Sequence, residues 1–210
     1  MAKITPFEKF TKDYENWFEK NFYLYQSELK VLKLLLEEIA FEKALEIGVG
    51  SGRFAKPLGV KFGVDPSPKM VKIAAKRGIK VVLGEAEHLP FKSETFDLVL
   101  MVTTICFVEN LPQSIGETNR VLKKGGYFLV GFVDKNSLLG KLYEKKKNKS
   151  RFYKEAKFFS SEEVIKITEK NSQMVFLKAK QTIFGSENKL YPVLEGLGKG
   201  SFVGLLFKKY

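Results

Sequence analysis

Three glycines at alternate positions form the feature of this sequence whose spacing most directly suggests chemistry. Gly48, Gly50 and Gly52 follow the short, mostly apolar segment Ala44–Ile47. Glycine lets the backbone turn with positive φ, and it lets a ligand approach the main chain without a Cβ in between. The spacing departs from the dinucleotide fingerprint G-x-G-x-x-G, because Arg53 stands where the last glycine belongs. The loop is therefore a poorer fit to the pyrophosphate of NAD or FAD, and it lacks the Gly-Lys-Ser/Thr ending of a P-loop.

Two acidic residues follow the next two predicted strands. Asp65 ends the segment 61–64, and Glu85 comes shortly after the segment 79–83. A carboxylate at Asp65 can accept hydrogen bonds from both hydroxyls of a ribose. Glu85 can accept from an exocyclic amine such as adenine N6, and the backbone N–H of Ala86 can donate to a ring nitrogen. Open α/β sheets bind ligands at the carboxyl ends of their strands, so these residues predict a nucleoside site.

The elements that would position these residues alternate between strand and helix patterns. Ser67 is a predicted N-cap and Pro68 suits the first helical position after it. Strands separated by helix-length segments indicate βαβ units and a parallel sheet covered on both faces. The predicted strands of this part are 44–47, 61–64, 79–83, 96–102 and 127–133, with a helix expected to open at Arg53 and another at 112–123, the latter ending in a glycine C-cap.

The two ends of the chain complete the expected architecture. The first 40 residues predict helices with aromatic side chains on one face, among them Tyr14 and Trp17. Segment 136–157 predicts an exposed basic insertion, and a helix with a capping box from Ser160 follows it. The segments 175–184 and 202–207 read as extended runs that form a closing hairpin.

Composition excludes several classes of protein. The apolar fraction of 44% is enough for a buried core. A single cysteine, Cys106, excludes an intrachain disulfide framework and a Cys-based zinc cluster, and a single histidine, His88, excludes a two-His zinc site. The N-terminus lacks the apolar region of a secretory signal, and the longest apolar run, 96–108, is too short to span a bilayer. We therefore expect a soluble cytoplasmic protein with no metal and no membrane partner. The net charge of +12 fits either an acidic partner or simple solubility.

The ordered motifs resemble those of class I S-adenosylmethionine (SAM)-dependent methyltransferases, and most of all the small-molecule, type 11-like branch. The segments that carry the resemblance lie within residues 43–135 and read ALEIGVGSGRF, GVDPSPKM, GEAEHLPF, FDLVLMVTTICFVEN and VLKKGGYFLVGF. The resemblance implies SAM as the cofactor, S-adenosylhomocysteine (SAH) as its product and methyl transfer to a small-molecule acceptor. The alternation of elements and the resemblance together predict an α/β, Rossmann-like, seven-stranded, mostly parallel sheet with helices on both faces and a C-terminal antiparallel hairpin.

The chain is predicted to be a single methyltransferase domain spanning residues 1–210. Residues 1–40 form its helical N-terminal cap, 41–135 its cofactor-binding core, and 136–210 its basic insertion or lid, final helix and closing strands.

The resemblance also implies which residues touch the cofactor. The glycines lie under the methionine moiety, Asp65 binds the ribose, Met70 flanks the adenine, and the main chain of Thr103 contacts the methionine amino group. Glu85 stands where the family often has Asp. The full predicted set is Glu46, Gly48, Val49, Gly50, Gly52, Asp65, Pro66, Met70, Glu85, Ala86, Glu87 and Thr103.

No catalytic residue is predicted, because methyl transfer from a sulfonium mainly requires alignment and the exclusion of water. His88 has two interpretations, as a general base or as a loop residue away from the reaction. Cys106 is open between a nucleophile and a buried small side chain. Glu46 and Arg53 each have two interpretations, as a cofactor contact or as a structural or solvated residue. The aromatic residues of the cap could contact a ligand or pack in the core.

Other functions also stay open. The basic segment 141–157 suggests an RNA methyltransferase that tracks phosphates with its lysines, although blocks of like charge are often plain exposed segments. A nucleoside-binding module without turnover is a further alternative, and an NAD-dependent oxidoreductase is disfavoured by the glycine spacing. The expected partner is a small-molecule acceptor, with nucleic acid less favoured and the oligomeric state not indicated.

Overall fold

The computed structural model describes residues 5–210, with side chains from Pro6 onward, so residues 1–4 of the predicted cap lie outside the described residues. The helices are α1 (Thr5–Lys9), α2 (Thr11–Lys20), α3 (Phe22–Leu36), α4 (Pro68–Lys76), α5 (Leu111–Val121), α6 (Leu138–Lys146) and α7 (Ser161–Lys170). The strands are β1 (Ala44–Ile47), β2 (Phe62–Asp65), β3 (Lys80–Leu83), β4 (Phe96–Val102), β5 (Leu122–Val133), β6 (Met174–Thr182), β7 (Leu194–Glu195) and β8 (Phe202–Lys209).

All of these strands belong to one sheet with the order β3-β2-β1-β4-β5-β8-β6-β7. The pairs from β3 to β5 are parallel, whereas β8 lies antiparallel between β5 and β6. This confirms the predicted α/β fold with its antiparallel C-terminal strands. The addition is β7, a two-residue strand that pairs with Gln181 and Lys180 at the edge of β6 and makes the sheet eight-stranded.

The centre of the sheet is buried on both faces. Leu98, Leu100 and Val102 of β4 join one apolar core, and Val99 and Met101 join the other. Helices α3 and α4 contribute side chains to the first core, and α5 and α7 contribute to the second. Alternate residues of a strand point to opposite faces, so a continuous apolar run is what a doubly covered strand requires.

Two predicted helix starts are confirmed. The Ser67 side chain accepts a hydrogen bond from the Met70 N–H at 3.2 Å, with Pro68 following as the first residue of α4. Ser160 and Glu163 form a complete capping box at the start of α7. These local interactions satisfy backbone donors that have no partner within the helix, and for that reason the sequence alone reveals them.

The predicted helix from Arg53 is wrong, because residues 51–59 form a series of turns. The Lys56 N–H donates to the Gly52 carbonyl and the Leu58 N–H to the Phe54 carbonyl, both at 3.2 Å. Between them, Pro57 has no N–H to donate, so the ladder of hydrogen bonds that makes a helix is interrupted.

The predicted glycine C-cap of the next helix is also wrong. Helix α5 ends at Val121, and Leu122 is already extended with φ −79° and ψ 133°. Leu122 is fully buried and pairs with Phe96, so packing in the sheet ends the helix before the glycines. Gly125, with φ +76°, instead lies within the described span of β5.

Helix α3 packs directly on the sheet. Its residues Val31, Leu32 and Leu35 are fully buried against the sheet. Gly131 and Gly204 permit this approach, since a Cβ on Gly204 would lie 2.7 Å from a methyl group of Leu35. The tight packing fixes α3 over β5, β6 and β8. It therefore also fixes the direction of the helix face that does not contact the sheet. None of the helices in residues 5–210 is long and apolar enough to cross a bilayer.

Candidate active site

A cavity of about 210 Å³ lies at the carboxyl ends of the parallel strands. The N-terminal helices and the segment between α6 and α7 provide its other walls, through Tyr14, Trp17, Phe152 and Tyr153 among others. Most of the predicted cofactor residues line this one cavity, namely Gly48, Gly50, Asp65, Pro66, Met70, Ala86, Glu87 and Thr103.

The glycine loop is anchored to the neighbouring strand by its own backbone. The N–H groups of Gly48 and Val49 both donate to the Val64 carbonyl, at 2.8 and 3.0 Å. Gly48, Gly50 and Gly52 have φ values of 67°, 52° and 82°, in the region that disfavours side chains. A Cβ at Gly50 would lie 3.0 Å from the Tyr14 hydroxyl, so glycine here keeps the loop open beneath Tyr14.

Asp65 is held in place by two backbone donors. The Gly50 N–H donates to Oδ2 at 2.8 Å, and the Ser67 N–H donates to Oδ1 at 2.9 Å. Each carboxylate oxygen has lone-pair capacity for a second donor, which suits two adjacent ribose hydroxyls. Burial raises the pKa of Asp65, and the two N–H groups lower it. Burial has the larger effect, so the pKa is about 6.

The side chains next to Asp65 form an apolar slot. Met70 is 1% exposed and Ala86 8%, and both line the cavity together with Pro66. Glu87 also reaches the cavity, but its Oε1 accepts hydrogen bonds from the N–H groups of Glu109 at 2.8 Å and Asn110 at 3.1 Å. Its carboxylate therefore ties two loops together, and the slot itself suits a flat, uncharged ring.

The other predicted site residues lie outside the cavity lining. Val49 packs against Gly63, and Gly52 packs against Ile79. Glu85 forms an isolated bridge with His88 in the turn that follows β3. Val49 and Gly52 therefore pack against residues next to the loop, and Glu85 lies in a separate turn.

Glu46 is 1% exposed and has an oxygen, Oε2, without a hydrogen-bond partner among the described residues. Burial raises its pKa well above the ordinary value, while a hydrogen bond from the Ala55 backbone lowers it and the charge of Asp65 raises it further. A buried acceptor of this kind, directly before the glycine loop, is suited to a donor that arrives with a ligand.

Aromatic side chains enclose the remainder of the cavity, and those outside the N-terminal cap were not among the predicted site residues. The Tyr153 ring stacks on Phe107 with centroids 5.8 Å apart and on Tyr143 at 5.2 Å. Phe7 contacts Phe107 edge-on at 5.0 Å and lies 5.6 Å from Phe152. With Tyr14, which lies 5.8 Å from Phe7, these rings are called here the aromatic enclosure: Phe7, Tyr14, Phe107, Tyr143, Phe152 and Tyr153.

The segment 136–157, predicted as an exposed basic insertion or lid, is exposed only in part. Its lysines at 145, 146 and 149 are exposed, but Tyr143, Phe152 and Tyr153 line the cavity. Arg151 holds the segment to α2 through an ion pair with Asp13 at 2.7 Å. The aromatic and basic residues of segment 136–157 do not repeat with the period of a helix or a strand. The sequence therefore did not show which of these rings face the site.

Glu28 was also missed. It lies on α3, lines the cavity and is 5% exposed, and no hydrogen bond or ion pair joins its carboxyl to another of the described residues. Burial raises its pKa to about 8. The only available signal was a charged residue on the otherwise apolar side of a helix, between Tyr25 and Leu32.

The turn after β4 connects the two halves of the site. Thr103 has φ +52°, rare for a β-branched residue, and its N–H donates to the Gly131 carbonyl at 2.7 Å. The Thr104 hydroxyl that follows donates to the carbonyls of Val102 at 3.0 Å and Gly48 at 3.3 Å. Backbone strain of this kind is concentrated at functional sites.

Three open candidates are not part of the cavity lining. His88 is exposed, with Nε2 3.1 Å from the Gln113 side chain. Cys106 lines only a small neighbouring cavity of about 20 Å³. Arg53 is engaged by ion pairs with Glu15 and Glu19, both at 2.9 Å, which leaves the interpretation as a cofactor contact without support. Within residues 5–210, no cluster of His, Cys, Asp and Glu is suited to hold a metal ion.

The residues present fit SAM. An oriented carboxylate, an apolar slot, a glycine loop that a Cβ would obstruct and an unpartnered buried acceptor match the ribose, adenine and amino-acid parts of that molecule.

Comparisons with known proteins identify the family of the chain. Residues 45–130 match the family model of a methyltransferase domain. The chain is 47% identical to MJ1123 of Methanocaldococcus jannaschii over 208 residues, which cover 98% of this chain and 100% of that protein. It is 34% identical to the demethylmenaquinone methyltransferase of Chlorobaculum tepidum over 110 residues, 48% of this chain and 46% of that enzyme.

A solved structure is similar over the full length. TM1293 of Thermotoga maritima is a SAM-dependent methyltransferase described as a possible histamine N-methyltransferase. It superposes with a TM-score of 0.93 at 47% identity, and the match covers 98% of each chain.

Proposed function

The chain belongs to the SAM-dependent methyltransferases, and from that premise we propose that it methylates a small-molecule acceptor inside the cavity described above. The observation that carries the proposal is the convergence of the glycine loop and the oriented carboxylate of Asp65 on one enclosed cavity. The protein is an enzyme of this class, which disfavours the nucleoside-binding module without turnover.

The chain's own residues account for binding and orientation of the cofactor. Asp65 accepts hydrogen bonds from the ribose hydroxyls, and Met70 and Ala86 contact the adenine from the apolar slot. Gly48 and Gly50 leave room for the methionine moiety along the main chain, and Glu46 offers an acceptor close to it. When bound, SAM supplies a methyl group made electrophilic by the positive sulfur.

The remaining task is to align the acceptor and exclude water. The aromatic enclosure provides rigid walls on the acceptor side, and the ion pair between Arg151 and Asp13 connects two of its segments. Methyl transfer is a displacement in which the methyl group passes from sulfur to the acceptor atom. Its rate increases most when both atoms are held in line. Enclosure also strengthens electrostatic interactions inside the cavity, because bulk water is absent.

The same walls support a small acceptor over RNA. The rings of the basic segment face the cavity, so they are not available as an exposed surface on which bases stack. The description of TM1293 as a possible histamine N-methyltransferase names, for that protein, an acceptor of small size.

Cofactor binding is the first test. Trp17 is the single tryptophan and lines the cavity, so its fluorescence reports on occupancy. We expect SAH to change this emission and to give a Kd on the order of 10 µM or tighter by isothermal titration calorimetry. NADH is the control ligand and is expected to have no effect. A folded protein that responds to neither SAM nor SAH contradicts the proposal.

A further inference from the structure

We propose that the acceptor carries a basic nitrogen, that Glu28 binds this nitrogen as an ammonium group, and that the Glu28 carboxylate then takes its proton. The proposal rests on the proposed function, because it names the class of acceptor that the same cavity would hold.

Within the described part of the chain, Glu28 is isolated from every other polar side chain that could pair with it. Its side chain is almost fully buried, yet no donor among the described residues contacts its carboxyl. A buried carboxylate without a partner is costly, and a protein retains such a group where a ligand supplies the partner. Glu28 lines the cavity, so the partner would arrive through the cavity.

Glu28 lies on the opposite side of the cavity from the nucleoside residues. Asp65 ends β2, and the apolar slot of Met70 and Ala86 lies on that side of the cavity. Glu28 is on α3, which packs on β5, β6 and β8, on the other side of β1 and β4 in the sheet order. The charge of Glu28 acts on Tyr143 and Tyr153, which belong to the aromatic enclosure. Glu28 therefore lies on the acceptor side of the site.

The charged side chains of the cavity wall are acidic. The protein has a net charge of +12, yet the lining includes neither Lys nor Arg among the described residues. The charged residues that reach the cavity are all acidic: Asp13, Glu28, Asp65 and Glu87. Asp13 is paired with Arg151 and Glu87 with backbone N–H groups, which leaves Glu28 as the unpaired carboxyl on the acceptor side.

The aromatic enclosure suits the same kind of ligand. Aromatic rings attract cations electrostatically, and the attraction is stronger where water is excluded. The hydroxyl groups of Tyr143 and Tyr153 add oxygen lone pairs that can accept from an ammonium group. Burial and the neighbouring charge of Glu28 raise the pKa of Tyr143 to about 12, so this hydroxyl stays neutral.

The proposed transfer involves the acceptor nitrogen, the Glu28 carboxylate and the methyl group of SAM, and its atoms and electrons balance. The ammonium nitrogen gives one proton to the Glu28 carboxylate, which frees the nitrogen lone pair. That lone pair forms the new bond to the methyl carbon, while the bond from this carbon to sulfur breaks and both of its electrons remain on sulfur. The products are a methylated ammonium group and the thioether SAH, and the proton on Glu28 leaves to solvent. Burial raises the pKa of Glu28 to about 8, in the range that suits a general base near neutral pH.

Direct binding to the SAH-loaded protein tests the proposal. We would titrate pairs of ligands that differ in an amine or a hydroxyl: 2-phenylethylamine and 2-phenylethanol, hexylamine and hexanol, tryptamine and tryptophol. At least one amine is expected to bind about tenfold more tightly than its alcohol, a difference of about 1.4 kcal/mol. Glu28→Gln is expected to abolish this preference and to leave SAH affinity unchanged. Glu37→Gln, at an exposed position at the end of α3, is the matched control and is expected to keep the preference.

The possible outcomes separate the two proposals. If wild-type protein does not bind SAH, the proposed function fails. If SAH binds but every amine binds no better than its alcohol, the amine proposal alone is overturned. Full retention of the preference in Glu28→Gln also overturns it. Should that variant not fold, the comparison of amine with alcohol in the wild-type protein still supports or overturns the proposal.

Discussion

At the scale of single residues, Asp65 shows how burial and backbone donors act on one carboxyl group. Burial favours the neutral form, and the N–H groups of Gly50 and Ser67 favour the charged form. The balance leaves the pKa raised to about 6. Ribose hydroxyls would donate to the same carboxylate, so the charged form is the one that binds the nucleoside.

This balance predicts a pH dependence of SAH affinity. Binding favours the carboxylate, so affinity is expected to hold above pH 7 and to fall as the pH drops through about 6, by up to about tenfold at pH 5. Calorimetric titrations at pH 5, 6 and 7.5 measure it. Asp65→Asn, which cannot ionise, is expected to bind SAH more weakly and with little change over this range. Equal affinity of the wild type at pH 5 and 7.5 would contradict the assignment.

At the scale of elements, the glycine loop owes its function to both conformation and space. Gly50 and Gly59 have similar left-handed φ values, +52° and +73°. A Cβ at Gly50 meets the Tyr14 hydroxyl, whereas a Cβ at Gly59 has nothing within 4 Å. The two positions therefore separate backbone strain from obstruction of the site.

We expect Gly50→Ala and Gly59→Ala to lose similar stability, about 1 kcal/mol each, because both force alanine into the left-handed region. Only Gly50→Ala is expected to weaken SAH binding, by about tenfold or more, since its methyl group disturbs the contact with Tyr14. Urea unfolding and calorimetry measure the two effects. A Gly59→Ala variant that loses SAH affinity to the same extent would show that strain alone is responsible.

At the scale of the whole molecule, the apolar core that α3 helps to form offsets the unfavourable burial of Glu28 at the acceptor site. Helix α3 carries Leu32 and Leu35 into that core and Glu28 into the cavity. The groups that face Glu28 are Tyr25 and Tyr143, whose raised pKa values keep them neutral below pH 9, and Tyr153, whose pKa burial raises well above the ordinary value. Among these groups, the ionisation of Glu28 is therefore the one that changes the stability of the ligand-free protein between pH 5 and 8.

Glu28→Gln is expected to stabilise the ligand-free protein more at pH 8 than at pH 5. The folded-state pKa of about 8 lies above the ordinary value of 4.5, so folding binds a proton and wild-type stability falls as the pH rises through this window. The gain of the variant over wild type is expected to grow by roughly 2–4 kcal/mol, at about 1.4 kcal/mol per pKa unit. Urea unfolding at both pH values measures it. A constant difference between variant and wild type, like that expected of Glu37→Gln, would count against the raised pKa.

The division of the chain into cap, core and C-terminal part, and the contact of each predicted residue with SAM, stay predictions. The sequence by itself determined the parallel sheet, the glycine loop and the position of Asp65 at the end of β2, because each depends on a short segment whose pattern repeats or turns locally. Local pattern also predicted the caps at Ser67 and Ser160, since each cap joins atoms within one helical turn.

Only the tertiary structure decided what faces the acceptor. Glu28, Phe107, Tyr143 and Tyr153 come from separate segments and share no period, so nothing in the sequence connects them. The packing of α3 on the sheet turns Glu28 towards the cavity, and the ion pair of Arg151 with Asp13 connects the segment that carries Tyr153 to the N-terminal helices. Contacts between distant segments form only when the core closes, and for that physical reason they determine the acceptor side while local patterns determine the nucleoside side.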